Sequence, residues 1–288
     1  MLKCVSILFA IALALANDEP PPAALLRNSS RRNGEYNRYY LYNSQVSGVE
    51  LAPSQNSNLL NYYGKTVVVI HGYMESHLTS LNPDLRRELL NNEDVNVIAV
   101  DWSIYAAMSL PFAQNAVLSV GDYLANFLMK LNLNPASLHL VGADLGAHIA
   151  GVAGRKMGGR VARITGLSPT TSNVRLASTD AVYVEVIHTG TDCPNGIEEK
   201  LGHADFYPNG GTCQPGCLDC TCHQNRSWMY FVASIKDNNF NANCCNSKFE
   251  KDINACKGTY LPMGNNKLIK MACPTGLYRV NTKDTYPY

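Results

Sequence analysis

Short apolar runs recur along this chain without the in-and-out alternation of a half-solvated strand. Lys65–Ile70 (KTVVVI) is β-branched and apolar almost throughout, as a strand buried on both faces is. Val95–Asp101, the run that begins at Ser137, Arg163–Leu167 and Val182–His188 are predicted as further core strands. Between them the period changes. Ala113–Leu131 carries apolar residues at 117, 120, 124, 127, 128 and 131, a helix with one buried face. Buried strands alternating with helices predict an α/β domain, a mostly parallel central sheet with helices on both faces. Tyr39–Asn43 (YYLYN) predicts a first strand ahead of them.

The stretch Ser137–Gly158, SLHLVGADLGAHIAGVAGRKMG, brings candidate chemistry into this pattern. It reads as a short strand, a turn flanked by Gly142 and Gly146, and a helix whose glycines and alanines allow close packing. That is the layout of the nucleophile elbow, G-x-S-x-G, which holds a serine on a strained turn beside an oxyanion hole. Here the turn is Gly142-Ala143-Asp144-Leu145-Gly146, with aspartate in place of serine. The elbow position takes positive φ, which Asp tolerates better than most residues. A carboxylate there also meets the positive end of the following helix, worth roughly 0.3–1 kcal/mol, and can point at the oxyanion-hole N–H groups.

Met1–Ala16 has the form of a secretory signal peptide: Lys3, the apolar run Val5–Leu15, and the small-residue pattern Ala14-Leu15-Ala16. The run is shorter than the about 20 residues that span a bilayer. A secreted, extracellular protein without integral membrane association is expected. Asn17 to Asn37 is polar and proline-rich and predicts a flexible leader, which leaves 38–288 as one domain. Asn28 heads one glycosylation sequon and Asn225 a second. A formal net charge of +1 over 288 residues gives no basic field for nucleic acid. Ten cysteines, less Cys4 in the signal, leave an odd set that an oxidising compartment pairs, with one thiol free or bonded to another chain. Zinc competes for Cys217-x-x-Cys220-x-Cys222-His223.

The flanks of the elbow are similar to the pancreatic-lipase superfamily, whose usual text is HLVGHSLGAHIAGFAGR. Further matching pieces are VVVIHGYMES (Val67–Ser76), VIAVDWS (Val97–Ser103), DAVYVEVIHT (Asp180–Thr189), GHADFYPNGG (Gly202–Gly211) and QPGC (Gln214–Cys217). They run in family order from about Tyr39 to Tyr288. The resemblance implies the α/β-hydrolase fold, without a C-terminal β-sandwich domain, and a serine, a base and an acid. Carried over position by position, the nucleophile is Asp144. The acid of GLDPA is Ser168 of GLSPT, and the base of C-[SN]-H-x-R is Gln224, counted back from Arg226. All three roles are replaced. The oxyanion-hole donors fall on the N–H groups of Tyr73 and Leu145. The lid disulfide falls on Cys217 and Cys222, with Cys220 a local competitor, and the lid it closes is short enough to leave the pocket open. The calcium positions keep Arg175 and Asp180 but have Ser172 and Ala177 where carboxylates belong, so neither a metal nor a cofactor is implied.

Two classes of function follow. The first is a non-catalytic binding or storage protein for a lipid or small apolar ligand; the yolk-protein branch is the family's precedent for losing the serine and keeping the fold. The second is a hydrolase. It would be a carboxylic-ester hydrolase of lipase or phospholipase A1 type, or an enzyme whose nucleophile is Asp144 itself, as in haloalkane dehalogenases and epoxide hydrolases. Aspartate chemistry needs a histidine to hydrolyse the covalent ester. His223, with Asp192 as its acid, is the set at hand; otherwise His223 is a surface histidine on a loop.

Overall fold

The computed structural model describes residues 34–52 and 57–288. The signal-peptide segment 1–16, most of the leader and the Asn28 sequon lie outside the described residues. Eleven strands form one sheet: β1 (Arg38–Tyr42), β2 (Ser47–Glu50), β3 (Lys65–Ile70), β4 (Val95–Asp101), β5 (Leu138–Ala143), β6 (Arg163–Leu167), β7 (Tyr183–Ile187), β8 (Ala204–Pro208), β9 (Asn241–Cys244), β10 (Tyr260–Pro262) and β11 (Leu277–Val280). Their order is β10-β9-β11-β8-β7-β6-β5-β3-β4-β1-β2. The centre, from β4 through β3 and β5 to β8 and β11, is parallel. The outer strands on both sides are antiparallel. This is the α/β-hydrolase arrangement.

The uniformly apolar runs are explained by helices on both faces. Along β3, Val68 and Ile70 enter one core with Val117 and Leu124 of α2 (Leu110–Lys130) and Ile149 of α3 (Leu145–Lys156). Val67 and Val69 enter the other, with Leu85 and Leu89 of α1 (Leu81–Asn92) and Tyr230 and Phe231 of α4 (Cys220–Lys236). A strand sandwiched this way has no polar face, so alternation cannot appear in its sequence.

Two boundaries differ from expectation. The leader does not stay loose as far as Asn37. Gly34 is buried at φ 104°, where a Cβ would lie 2.7 Å from the Ser119 carbonyl oxygen, and the Asn37 side-chain amide donates to the Val120 carbonyl at 3.2 Å. The strands β2, β9 and β10 carry no apolar pattern and lie at the sheet's margins. Disulfides Cys244–Cys273 and Cys245–Cys256 tie the β9 end of the sheet.

The cysteines also correct one expectation. Cys217 is bonded to Cys222, and Cys220 reaches back to Cys193. No cysteine among the described residues is free, and Cys213 is disulfide-bonded as well. With Cys217, Cys220 and Cys222 all in disulfides, no thiolate remains there for zinc.

Candidate functional site

The elbow joins β5 to α3 at the C-terminal edge of the sheet, where ligands of open α/β sheets bind. Its backbones touch. A Cβ on Gly146 would lie 2.5 Å from the Ile70 carbonyl oxygen and 2.6 Å from that of His71, and one on Gly142 would strike Gly146. Asp144 sits between them at φ 54°, ψ −121°. The positive φ is as predicted, but this ψ lies outside the left-handed helical well that Asp favours. The position is therefore strained, at a cost of about 1–3 kcal/mol. It is held by the Asp144 N–H bond to the Leu167 carbonyl at 3.0 Å and by the side chain.

That side chain takes up a backbone donor that the resemblance assigns to an oxyanion hole. Oδ2 accepts the Tyr73 N–H at 2.7 Å, and Oδ1 accepts a short hydrogen bond from the Thr170 hydroxyl. Burial pushes the carboxyl above its ordinary range, while the Thr170 hydroxyl and the N–H groups of Tyr73 and Leu145 pull the other way. Thr170 is in turn fixed from α3. His148 Nδ1 accepts the Leu176 N–H at 3.0 Å, so its proton is on Nε2, which donates to the Thr170 carbonyl at 2.6 Å. Burial holds His148 neutral, its pKa pushed down to about 4. Neither Thr170 nor His148 is marked as a site residue by any sequence signal; both act through the tertiary placement of Asp144.

Ser168 follows β6 directly, at φ 44°, its N–H bonded to the Ile187 carbonyl at 2.8 Å. Gln224 lies in the first turns of α4. Asp144, Ser168 and Gln224 line one cavity of about 330 Å³, together with Tyr73 and Trp228. The structure thus brings the three substituted positions together. Asn225 of the second sequon lines the same cavity.

His223 is not among the lining residues. It is buried on α4 and not, as the alternative had it, a surface histidine on a loop. Its Nδ1 accepts the Gln214 N–H at 2.9 Å, an engagement that ties down the loop before the helix. Asp192 is exposed and also absent from the lining, so the pair His223–Asp192 is not assembled at the cavity. The remnant calcium positions do not fit a cation. The Asp180 carboxylate is gripped by Arg155 at 2.9 and 3.0 Å and by the Ala177 N–H at 2.8 Å. Among the described residues no group of three or more His, Cys, Asp or Glu is placed to hold a metal ion.

A carboxyl raised by burial carries a testable sign. Relative to its unfolded value, a raised pKa stabilises the fold fully only below the unfolded pKa, and that contribution is lost as pH rises through the folded pKa. Asp144→Asn keeps an acceptor for Tyr73 and gives Thr170 a donor, without a charge. At pH 7 the Asp144→Asn variant is expected to melt higher than wild type. The gain should shrink towards pH 4; thermal scans of both proteins at pH 4 and 7 check it, and a gain that grows on acidification contradicts it.

The Lipase family profile matches residues 29–267 of the chain. Pancreatic lipase-related protein 2 of Cavia porcellus is 37% identical over 220 residues, 70% of this chain and 50% of its own length. Lipase member H of Xenopus tropicalis is 34% identical over 249 residues, 78% of this chain and 52% of its own. Lipoprotein lipase of Mus musculus is 37% identical over 242 residues, covering 70% and 51%. The chain spans about half the length of the curated relatives it matches.

Proposed function

Because this chain belongs to the Lipase family of the pancreatic-lipase superfamily, yet presents a hydrogen-bonded carboxylate where the nucleophile and oxyanion should be, we propose that it is a non-catalytic member that binds a lipid or other small apolar ligand. The observation that carries this reading is the Asp144–Tyr73 bond of 2.7 Å. A serine hydrolase needs a nucleophile, a base and an acid, and the positions for them hold Asp144, Ser168 and Gln224. Loss of a triad alone leaves a residual rate of roughly 10³–10⁴ over water from the oxyanion hole and binding. Here the donor that would supply that remainder is occupied. Aspartate-nucleophile chemistry is disfavoured by the same contacts and by the absence of any histidine from the cavity lining.

Binding is supported by what the cavity keeps. It retains Leu110, Leu167 and Trp228 as apolar surface. Export from the cell belongs to the same proposal. It is supported by disulfides that an oxidising compartment forms and by the signal-like Met1–Ala16. No helix among the described residues is long and apolar enough to cross a membrane.

The purified protein is expected to leave p-nitrophenyl butyrate at the buffer rate and to resist labelling by a serine-reactive fluorophosphonate. Turnover that survives removal of contaminating lipase, or stoichiometric labelling, would overturn the proposal.

A further inference from the structure

We propose that the cavity selects cationic amphiphiles, an alkylammonium or quaternary ammonium head on an apolar chain; this rests on the binding role proposed above and names the ligand class. The charge of the cavity carries the inference. Glu75 and Asp144 both line it, and no lysine, arginine or histidine does. The two carboxylates converge over Gly72. Asp144 Oδ2 and Glu75 Oε2 both lie against Gly72, 3.2 and 3.3 Å from where a Cβ on that residue would be. Glu75 Oε2 accepts the Gly72 N–H at 2.9 Å, which fixes that carboxylate at the rim while the side chain stays half-exposed.

An anionic head is refused on two counts. The Tyr73 N–H, which would have received it, already donates to Asp144, and two carboxylates repel it at close range. A cation meets the opposite field, in a cleft whose walls keep it partly out of water. Tyr73 and Trp228 supply aromatic surface in the same lining, and ammonium groups are attracted to aromatic faces. Leu110, Leu167 and Pro194 give an apolar path for the chain of such a ligand.

The test is a calorimetric titration of the full chain at fixed salt with four probes below their micellar concentrations: dodecyltrimethylammonium, dodecylammonium, dodecanoate and dodecanol. The two cations are expected to bind about tenfold or more tighter than dodecanoate, with dodecanol between. The ratio of the two cations separates a quaternary head seated on the aromatics from an amine hydrogen-bonded to the carboxylates. In Glu75→Gln with Asp144→Asn the preference should fall to within about twofold. Glu75→Gln alone, away from the strained elbow, should lower it severalfold and serves if the double variant does not fold. Dodecanoate or dodecanol binding as tightly as the cations, or a preference that survives both substitutions, overturns the inference and leaves the binding role standing. If none of the four binds, the binding role falls with it.

Discussion

Asp144→Ser alone is expected to leave ester hydrolysis at background, whereas Asp144→Ser with Ser168→Asp and Gln224→His raises it by about 10²–10⁴-fold, the usual contribution of a positioned general base. The single change empties the oxyanion hole by removing the carboxylate that accepts from Tyr73. It still supplies no activated nucleophile, because a serine hydroxyl is weak until a base takes its proton. Gln224 cannot act as that base, and Ser168 cannot stabilise an imidazolium. Triad members act as a unit and their effects are not additive, so the three changes belong together, and all three positions already face one cavity. Both variants should also carry Asn225→Gln, which removes the sequon beside the new histidine. Hydrolysis of p-nitrophenyl butyrate by the two proteins is the measurement. Strong activity in the single variant would mean that another group, His223 above all, reaches the serine and that the assignment of Gln224 is wrong.

Glu185→Gln is expected to destabilise the fold by about 3–5 kcal/mol without touching the cavity, because breaking one partner out of a buried ionic cluster leaves uncompensated charge. Glu185 on β7 is fully buried, as is Arg163 on β6, with 2.9 Å between them. Lys270 closes a second ion pair on the same carboxylate. The Tyr183 hydroxyl donates to it at 2.9 Å and the Gly264 N–H at 2.8 Å. Arg163 also donates to the carbonyls of Asn265 and Lys267 at 2.9 and 2.7 Å, so the cluster fastens the Gly264–Lys270 loop over the sheet. Arg163 opens β6 whereas the elbow follows the far end of β5, which places the cluster away from the ligand cavity. Burial alone would push the Glu185 carboxyl up; the Arg163 guanidinium, and then Lys270, outweigh it and hold it below its ordinary value. A depressed carboxylate contributes stability that is present above its unfolded pKa and lost as pH falls through its folded pKa. The gap between wild type and Glu185→Gln should therefore be largest near pH 7 and narrow in acid. Urea unfolding at both pH values measures it, and a variant within about 1 kcal/mol of wild type at pH 7 would show that the cluster does not hold the loop.

How much of this was legible depended on the range of the interaction. The strands β3 and β4 were readable to the residue, because a strand covered on both faces must be largely apolar and the constraint is written locally. The elbow was readable from Gly142 and Gly146, because backbone contact with Ile70, His71 and the elbow itself excludes any side chain. The margins β2, β9 and β10 were not, since they are paired by backbone and tied by Cys244–Cys273 and Cys245–Cys256, and neither leaves a hydrophobic period. Cysteine content pointed to disulfides but not to the partner of Cys220, because connectivity is set by which sulfurs the fold brings together.

The sequence by itself determined the fold class and the aspartate at the elbow, since these are matters of residue type at fixed spacing, and its resemblance to the family set the nucleophile, acid and base positions at 144, 168 and 224. Only the tertiary structure decided what the replacements do. That the Asp144 carboxylate is held by backbone and hydroxyl donors depends on Tyr73 and on Thr170, itself fixed by His148, none of them adjacent to it in sequence. That His223 is spent on Gln214 while Gln224 faces the cavity depends on the phase of α4 against the sheet. The sign of the cavity's field depends on Glu75 converging with Asp144 over Gly72. Each of these is a through-space relation between groups on different elements, and a linear pattern of residue types carries no distance between them.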